Sequence, residues 1–272
     1  MEYAASHIQH MQKSLMQMNL QLHHVVSDIT GVTGMKIVRA ILDGERDPST
    51  LAAFRDVRCK SSVETIAEAL TGNYRAEHVF ALRQALELYD LYQSKIGDCD
   101  REVEGCLRTL NHEREKPGAE LPTKRSKVRS SNEPDFEIRP ALFTLVGGVD
   151  LSQIHGLGPY SALRIVAECG TDMSRWRTAK HFTSWLTLAP GNKISGGKVL
   201  SSRTRRSANR ATVLLRIAAV GVGRSSTALG AFFRRLAARV GKAKAITATA
   251  RKIAVLFLQH AAIRVGVRRP GR

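Results

Sequence analysis

Residues 151–170 read LSQIHGLGPYSALRIVAECG, and the spacing of glycines and apolar residues within them sets the architecture of the second half of the chain. Ile154 leads into Gly156-Leu157-Gly158, and Pro159 follows at once. Proline suits the first turn of a helix, where its missing N–H would have no partner anyway. Ala162, Ile165 and Val166 return at helical spacing, and Gly170 stands where a helix begun at Pro159 would end. The pattern predicts a helix-hairpin-helix element. Bare turns at Gly156 and Gly158 would let backbone N–H groups at the helix start reach a phosphate. A purely structural helical hairpin has the same pattern, so this element alone names no ligand.

Charge narrows the choice. No Asp or Glu occurs after Asp172, whereas the 100 residues that follow hold 22 Lys or Arg. A surface with that many uncompensated cations repels itself unless a polyanion neutralises it. Ordinary soluble surfaces mix both signs. The commonest polyanion is nucleic acid, whose phosphates exchange condensed counterions for Lys and Arg. A short helix over 178–188 is expected next, then LAPGNKISGGKVLSSRTRRSANRA at 188–211. Pro190, Gly191, Gly196 and Gly197 make that segment a loop or tight hairpin. Three alanine-rich helices with basic faces are expected over 208–223, 226–240 and 243–258.

The 188–211 segment is also the chemical candidate. Ser195 precedes two glycines and is surrounded by Lys193, Lys198, Arg203, Arg205, Arg206 and Arg210. A serine that attacks a DNA phosphate forms a phosphoserine ester, and cations stabilise the charge that builds on the phosphoryl oxygens. Glycines let the backbone come close to the phosphate. A Ser-Gly-Gly turn is more often only a turn, and Ser201 and Ser202 compete for the same role.

Upstream the character changes. Residues 1–110 carry 12 Lys or Arg against 15 Asp or Glu, and residues 111–272 carry 30 against 9. A length of 272 residues allows about two domains. With 43% hydrophobic residues there is material for a packed core. Ile8, Met11, Leu15, Met18, Leu22, Val25 and Ile29 step alternately by three and four, and Val79, Leu82, Leu86 and Tyr89 repeat the step. The two seams predict an antiparallel coiled-coil arm from helices over 2–30 and 76–110, joined by small helices. The linker over 111–138 contains three prolines, Pro117, Pro122 and Pro134. The expected fold is therefore mainly α: a coiled-coil dimerisation region over 1–110, then a compact helical domain over 139–258.

Cys59, Cys99, Cys106 and Cys169 form no CxxC pair, which argues against zinc and for reduced thiols. No apolar run is long enough to span a bilayer, and no signal-like segment opens the chain. The expected setting is cytoplasmic and nucleoid-associated, with no membrane partner.

GLGPYSALRIVAECG, FTSWLTLAPGNKISGGK and SANRA occur in that order and resemble the C-terminal domain of transposases of bacterial insertion-sequence family 110 (116/110/902 type). MQKSLMQMNLQLHHVVSDITGVTGMKIVRAILDGERDP and NYRAEHVFALRQALELYD resemble that family's coiled-coil segment. The resemblance implies a DNA recombinase with Ser195 as its nucleophile. It also implies nucleic-acid contacts at Lys193, Lys198, Asn209 and Arg210. The implied partners are DNA, a bridging non-coding RNA and further copies of the chain, as a homodimer or higher oligomer. Members begin with a ribonuclease H-type domain whose acidic tetrad holds divalent metal. This chain starts within the coiled coil, so the expectation is no metal or other cofactor here. Asp28, Asp43 and Glu45 read as solvated or capping residues. After Phe257 the sequence LQHAAIRVGVRRPGR leaves the family pattern, and a slip of the reading frame near Leu258 would account for a foreign basic tail over 259–272. The competing expectations are an inactive remnant and a non-catalytic helix-hairpin-helix nucleic-acid-binding protein.

Overall fold

A computed structural model describes residues 1–115, 117–124, 133–206 and 209–262. Most of the basic part of the linker, and the tail from residue 263, lie outside the described residues. The chain divides into two compact units, Met1–Arg101 and Glu102–Arg272. The described residues are mainly helical, with one small two-stranded sheet.

The first unit contains α1 (Glu2–Gln17), α2 (Leu22–Val25), α3 (Val32–Leu42), α4 (Pro48–Ala53), α5 (Val63–Ala69) and the start of α6 (Ala76–His112). Local chemistry starts the short helices. Asp47 accepts from the Thr50 N–H at 2.8 Å ahead of Pro48, and Ser62 accepts from the Thr65 N–H at 3.2 Å. Each satisfies a backbone donor that has no partner within its helix.

Residues 2–30 are not one helical arm. α1 stops at Gln17, and Asn19 adopts φ 59. Asparagine tolerates this left-handed conformation better than most residues with a side chain. The seam positions are buried all the same. Met11, Leu15, Met18, Leu22 and Ile29 share a core with Ile37, Leu51, Ile66, Leu82 and Leu86. A three-four spacing reports which positions face inward, and a bend that keeps them inward leaves it intact. α1 does lie antiparallel to the first half of α6. Tyr3 and His7 each stack on Tyr92 with ring centroids 5.6 Å apart, while at the opposite end the Asn73 N–H donates to the Met18 carbonyl at 2.7 Å. Asp28 accepts from the Thr30 N–H, Asp43 ends α3, and Glu45 accepts from the N–H groups of Arg46 and Asp47.

The second unit adds α7 (Ile138–Leu145), a 3₁₀ turn (Leu151–Gln153), α8 (Pro159–Cys169), α9 (Ala179–Trp185), the strands β1 (Lys193–Ser195) and β2 (Lys198–Ser201), α10 (Arg210–Gly223), α11 (Ala228–Val240) and α12 (Lys242–Ala262). α12 is the axis of the core and packs on α9, α10 and α11. Its Ile253, Ala254 and Phe257 are fully buried, and Phe257 stacks on Phe182 of α9 at 6.3 Å. Buried Ala211, Ala218, Ala219, Ala250 and Ala254 keep the helix surfaces narrow, so the backbones approach closely. The helix expected to end at 258 continues to Ala262, and Leu258 and Ala261 are buried in the core.

The turn before α8 departs from a full helix-hairpin-helix. Only the 3₁₀ turn stands directly before the glycines. Asp150, one residue before that turn, is 8% exposed and serves several donors. It takes the Arg139 guanidinium, with Nε at 3.1 Å, the Ser152 N–H and hydroxyl, and the Gln153 side-chain amide. Burial pushes the Asp150 carboxyl up, but hydrogen bonds from Arg139, Ser152 and Gln153 together outweigh it and hold the group below the ordinary carboxylate range. A depressed carboxyl gives stability that is present above its unfolded value and lost as the pH falls through the folded one. Asp150→Asn should therefore destabilise the second unit by about 3–5 kcal/mol at neutral pH, because it leaves Arg139 buried without its counter-charge. It should also flatten the fall in stability below about pH 4. Urea unfolding of both proteins at pH 7 and pH 3.5 measures the two effects.

Candidate nucleic-acid interface

The segment around Ser195 is a β-hairpin closed by two residues. Gly196 and Gly197 take φ 55 and φ 75, the left-handed pair that a type I′ turn requires. Strand register pairs Ser195 with Lys198 and Lys193 with Ser201, with a bulge between Lys193 and Ile194. Directly paired residues share a sheet face, with Cβ atoms about 4.5–5.5 Å apart. Ser195 and Lys198 are thus cross-strand neighbours, and Lys193 lies two residues along on the face of Ser195. Ser195 and both lysines are exposed.

The base of the hairpin is pinned. The Gly191 N–H donates to the Arg203 carbonyl at 3.0 Å, and the Arg203 N–H donates to the Ser201 hydroxyl at 3.4 Å. This separates the three serines. Ser195 is at the exposed tip, Ser201 is half-buried with its oxygen accepting a bond, and Ser202 is exposed beyond β2. Arg203, Arg205 and Arg206 follow, all exposed.

Other expected site residues have structural duties. Asn209 caps α10, its side-chain oxygen accepting from the Thr212 N–H at 3.2 Å. Arg210 lies 3.6 Å from Glu168, an exposed ion pair of small worth. Gly156 takes φ 93 and is pressed onto α10: a Cβ there would come 2.5 Å from Val222 Cγ2 and 3.0 Å from the Ala218 carbonyl oxygen. Its bareness lets the loop dock on the helix. Gly158 caps α8 with extended backbone, and the nearest atom to its missing Cβ is a Glu133 carboxylate oxygen at 3.8 Å. An anion at the start of α8 would meet that acid.

A second cationic feature brings together the basic faces expected on the last helices, in a groove that the sequence reading did not give. α11, α12 and residues 202–204 enclose a groove of about 1280 Å³. Half-buried Leu229, Phe232, Val255 and Leu256 form its apolar floor. Arg203, Arg235, Lys244, Arg251 and Lys252 stand among its lining residues, and the Lys252 ammonium lies 5.0 Å from the centre of the Phe232 ring. No carboxylate lines it. The signal was present: Lys244, Ala248, Arg251, Val255 and Gln259 recur at helical spacing along one face of α12. The two helices had to be placed before that face met α11. By contrast, Arg234 donates to the carbonyls of Gly223 and Ser225 at 3.1 and 2.7 Å and so ties α11 to the end of α10.

The cysteines are free thiols, and burial, then the nearby Glu168 charge, pushes the Cys169 thiol up to about 12, which makes it a poor nucleophile. Among the described residues no group of three or more His, Cys, Asp or Glu is arranged to hold a metal ion. No described helix is long and apolar enough to cross a membrane.

Gly156→Ala should cost about 2–4 kcal/mol, since it adds both a collision with α10 and a strained φ. Gly158→Ala, with room around it and an ordinary φ, should cost under about 1 kcal/mol by comparison. Thermal unfolding of the two variants side by side gives the difference.

No curated protein and no solved structure matches this chain significantly. A family match does exist: residues 150–234 fit the sequence model of the Transposase IS116/IS110/IS902 family. The matched residues begin at Asp150, run through the glycine turn, α8, α9, the Ser195 hairpin and α10, and end within α11. Residues 150–234 of the second unit are therefore similar in sequence to transposases of the IS116/IS110/IS902 family.

Proposed function

We propose that this chain takes part in DNA transposition, binding element-end DNA through its second unit and presenting Ser195 as the nucleophile of strand cleavage and transfer. The observation that carries the reading is the position of Ser195 at the bare tip of a type I′ hairpin, paired across the strands with Lys198 and next along its face to Lys193. A hydroxyl on an exposed tip can meet a phosphate without the body of the protein clashing with the duplex. In the step itself the Ser195 Oγ–phosphorus bond forms as one phosphorus–oxygen bond to deoxyribose breaks. The serine loses its proton, and the departing oxygen gains one to leave a free hydroxyl end. Lys193, Lys198 and the exposed arginines from Arg203 onward would balance the charge on the phosphoryl oxygens.

Ser201 suits the role less well, because it is half-buried and its oxygen accepts from Arg203. Asn209 holds the start of α10 and so positions the segment instead of gripping phosphate. Self-association through the α1–α6 unit and a non-coding RNA partner belong to the same proposal. A second reading, binding without catalysis, is favoured by the groove between α11 and α12, whose cations need no nucleophile to act.

Capture of a covalent protein–DNA adduct separates the readings. With element-end DNA, a denaturant-resistant adduct should form and vanish in Ser195→Ala, while affinity for the same DNA changes less than about 3-fold. An adduct that survives the substitution would move the nucleophile to Ser202. Tight binding with no adduct from either protein would favour the non-catalytic reading.

A further inference from the structure

We infer that the groove between α11 and α12 is a binding site for unpaired nucleotides, with bases on its floor and phosphates on its rim. This deepens the DNA-binding reading of the same unit and rests on it. The argument starts from the two surfaces of the groove. A duplex shows a protein its phosphates and hides the faces of its bases in the stack, so a flat basic surface is enough to hold it. An apolar floor would then stay dry and unused. Here Leu229, Phe232, Val255 and Leu256 are only half-buried, at the bottom of a groove of about 1280 Å³. That exceeds the roughly 300–1,000 Å³ of ordinary small-ligand pockets, so a chain of more than one unit fits better than a single metabolite. Single strands are held by this combination of cations that follow the backbone and apolar or aromatic faces that take the bases.

Charge complementarity fixes the sign of the occupant. Arg203, Arg235, Lys244, Arg251 and Lys252 line the groove and no acid opposes them. An acidic peptide would satisfy the cations but brings a flat face only where it holds an aromatic residue, whereas every nucleotide brings one. The groove also continues from the chemistry. Ser202, Arg203 and Thr204 form part of its wall and directly follow β2, the strand that returns from the Ser195 tip. At about 3.3 Å per residue, Lys198 and Ser202 are some 13 Å apart along that strand. Strand ends freed at the hairpin would therefore be within a few nucleotides of the groove.

The experiment uses the whole chain and three fluorescent probes: a 20-nucleotide oligothymidine, a 20-base-pair duplex, and polyglutamate as a polyanion without bases. Anisotropy should show the single strand bound at least about 10-fold more tightly than polyglutamate. Phe232→Ala should weaken the single strand about 10-fold and the duplex less than about 3-fold. Exposed Arg235→Ala and Lys244→Ala should weaken it further without lowering the melting temperature. Because Phe232→Ala itself can disturb α11, the unchanged chain is also crosslinked by ultraviolet light to oligothymidine carrying 5-iodouracil. The attached peptides should fall within residues 228–259. Equal losses for duplex and single strand, equal binding of polyglutamate, or crosslinks confined elsewhere would overturn the groove assignment and leave duplex binding standing. Failure to bind either nucleic acid would overturn the groove and the DNA-binding reading together.

Discussion

The second unit is organised around one electrostatic constraint. After Asp172 the chain holds 22 Lys or Arg and no Asp or Glu, so the few acids that precede this stretch can neutralise only a small part of its charge. The fold answers by separating apolar and charged material along each helix. Alanines, Ile253 and Phe257 fill the centre, and most of the lysines and arginines after Asp172 are exposed. Helices built this way can pack tightly and still present a continuous basic exterior. Self-repulsion of that exterior costs stability until phosphates arrive, which makes folding and binding parts of one energetic problem.

Against that background the few acids matter more. Asp150 holds Arg139 within the core and caps the 3₁₀ turn, so the turn that docks on α10 is anchored by a buried ion pair. Gly156 completes the join by allowing contact with Val222 and Ala218. These contacts fix the start of α8 against α10, and Asn209 at the start of α10 fixes the end of the segment that follows the Ser195 hairpin. The hairpin itself is short and exposed, and only its base is pinned. A helical core with an exposed hairpin tip is compatible with the proposed attack of Ser195 on a phosphate of a large substrate.

Much of this was legible in the sequence, for physical reasons that differ by element. α8 was readable because proline and glycine mark its ends by conformational restriction and freedom. The hairpin was readable because only glycine takes two successive left-handed positions at low cost. The excess of cations was readable from composition alone, and the preference for a polyanion that it implies is part of the proposed function. The arm over 2–30 was misread because a heptad pattern records burial, and burial survives the bend at Asn19. Asn209 was read as a nucleic-acid contact, and the structure adds a capping bond from the Thr212 N–H that the sequence reading did not give. The groove was missed because Phe232 and Arg251 lie on different helices, and no spacing in the sequence says that α11 folds back on α12. Ser195 illustrates a further limit. Its exposure and its lysine neighbour follow from strand register, but its chemistry depends on a substrate that brings the reacting phosphate.

The central claim is that this unit exists to bind nucleic acid through uncompensated charge, and salt dependence tests it most directly. The affinity for a DNA duplex would be measured across a series of salt concentrations and plotted as log K against log salt. If six to ten cations meet phosphates, the plot is linear and affinity falls roughly 10³–10⁵-fold between about 50 and 200 mM. A flat plot would mean that the cations do not meet phosphates, and the account would fail.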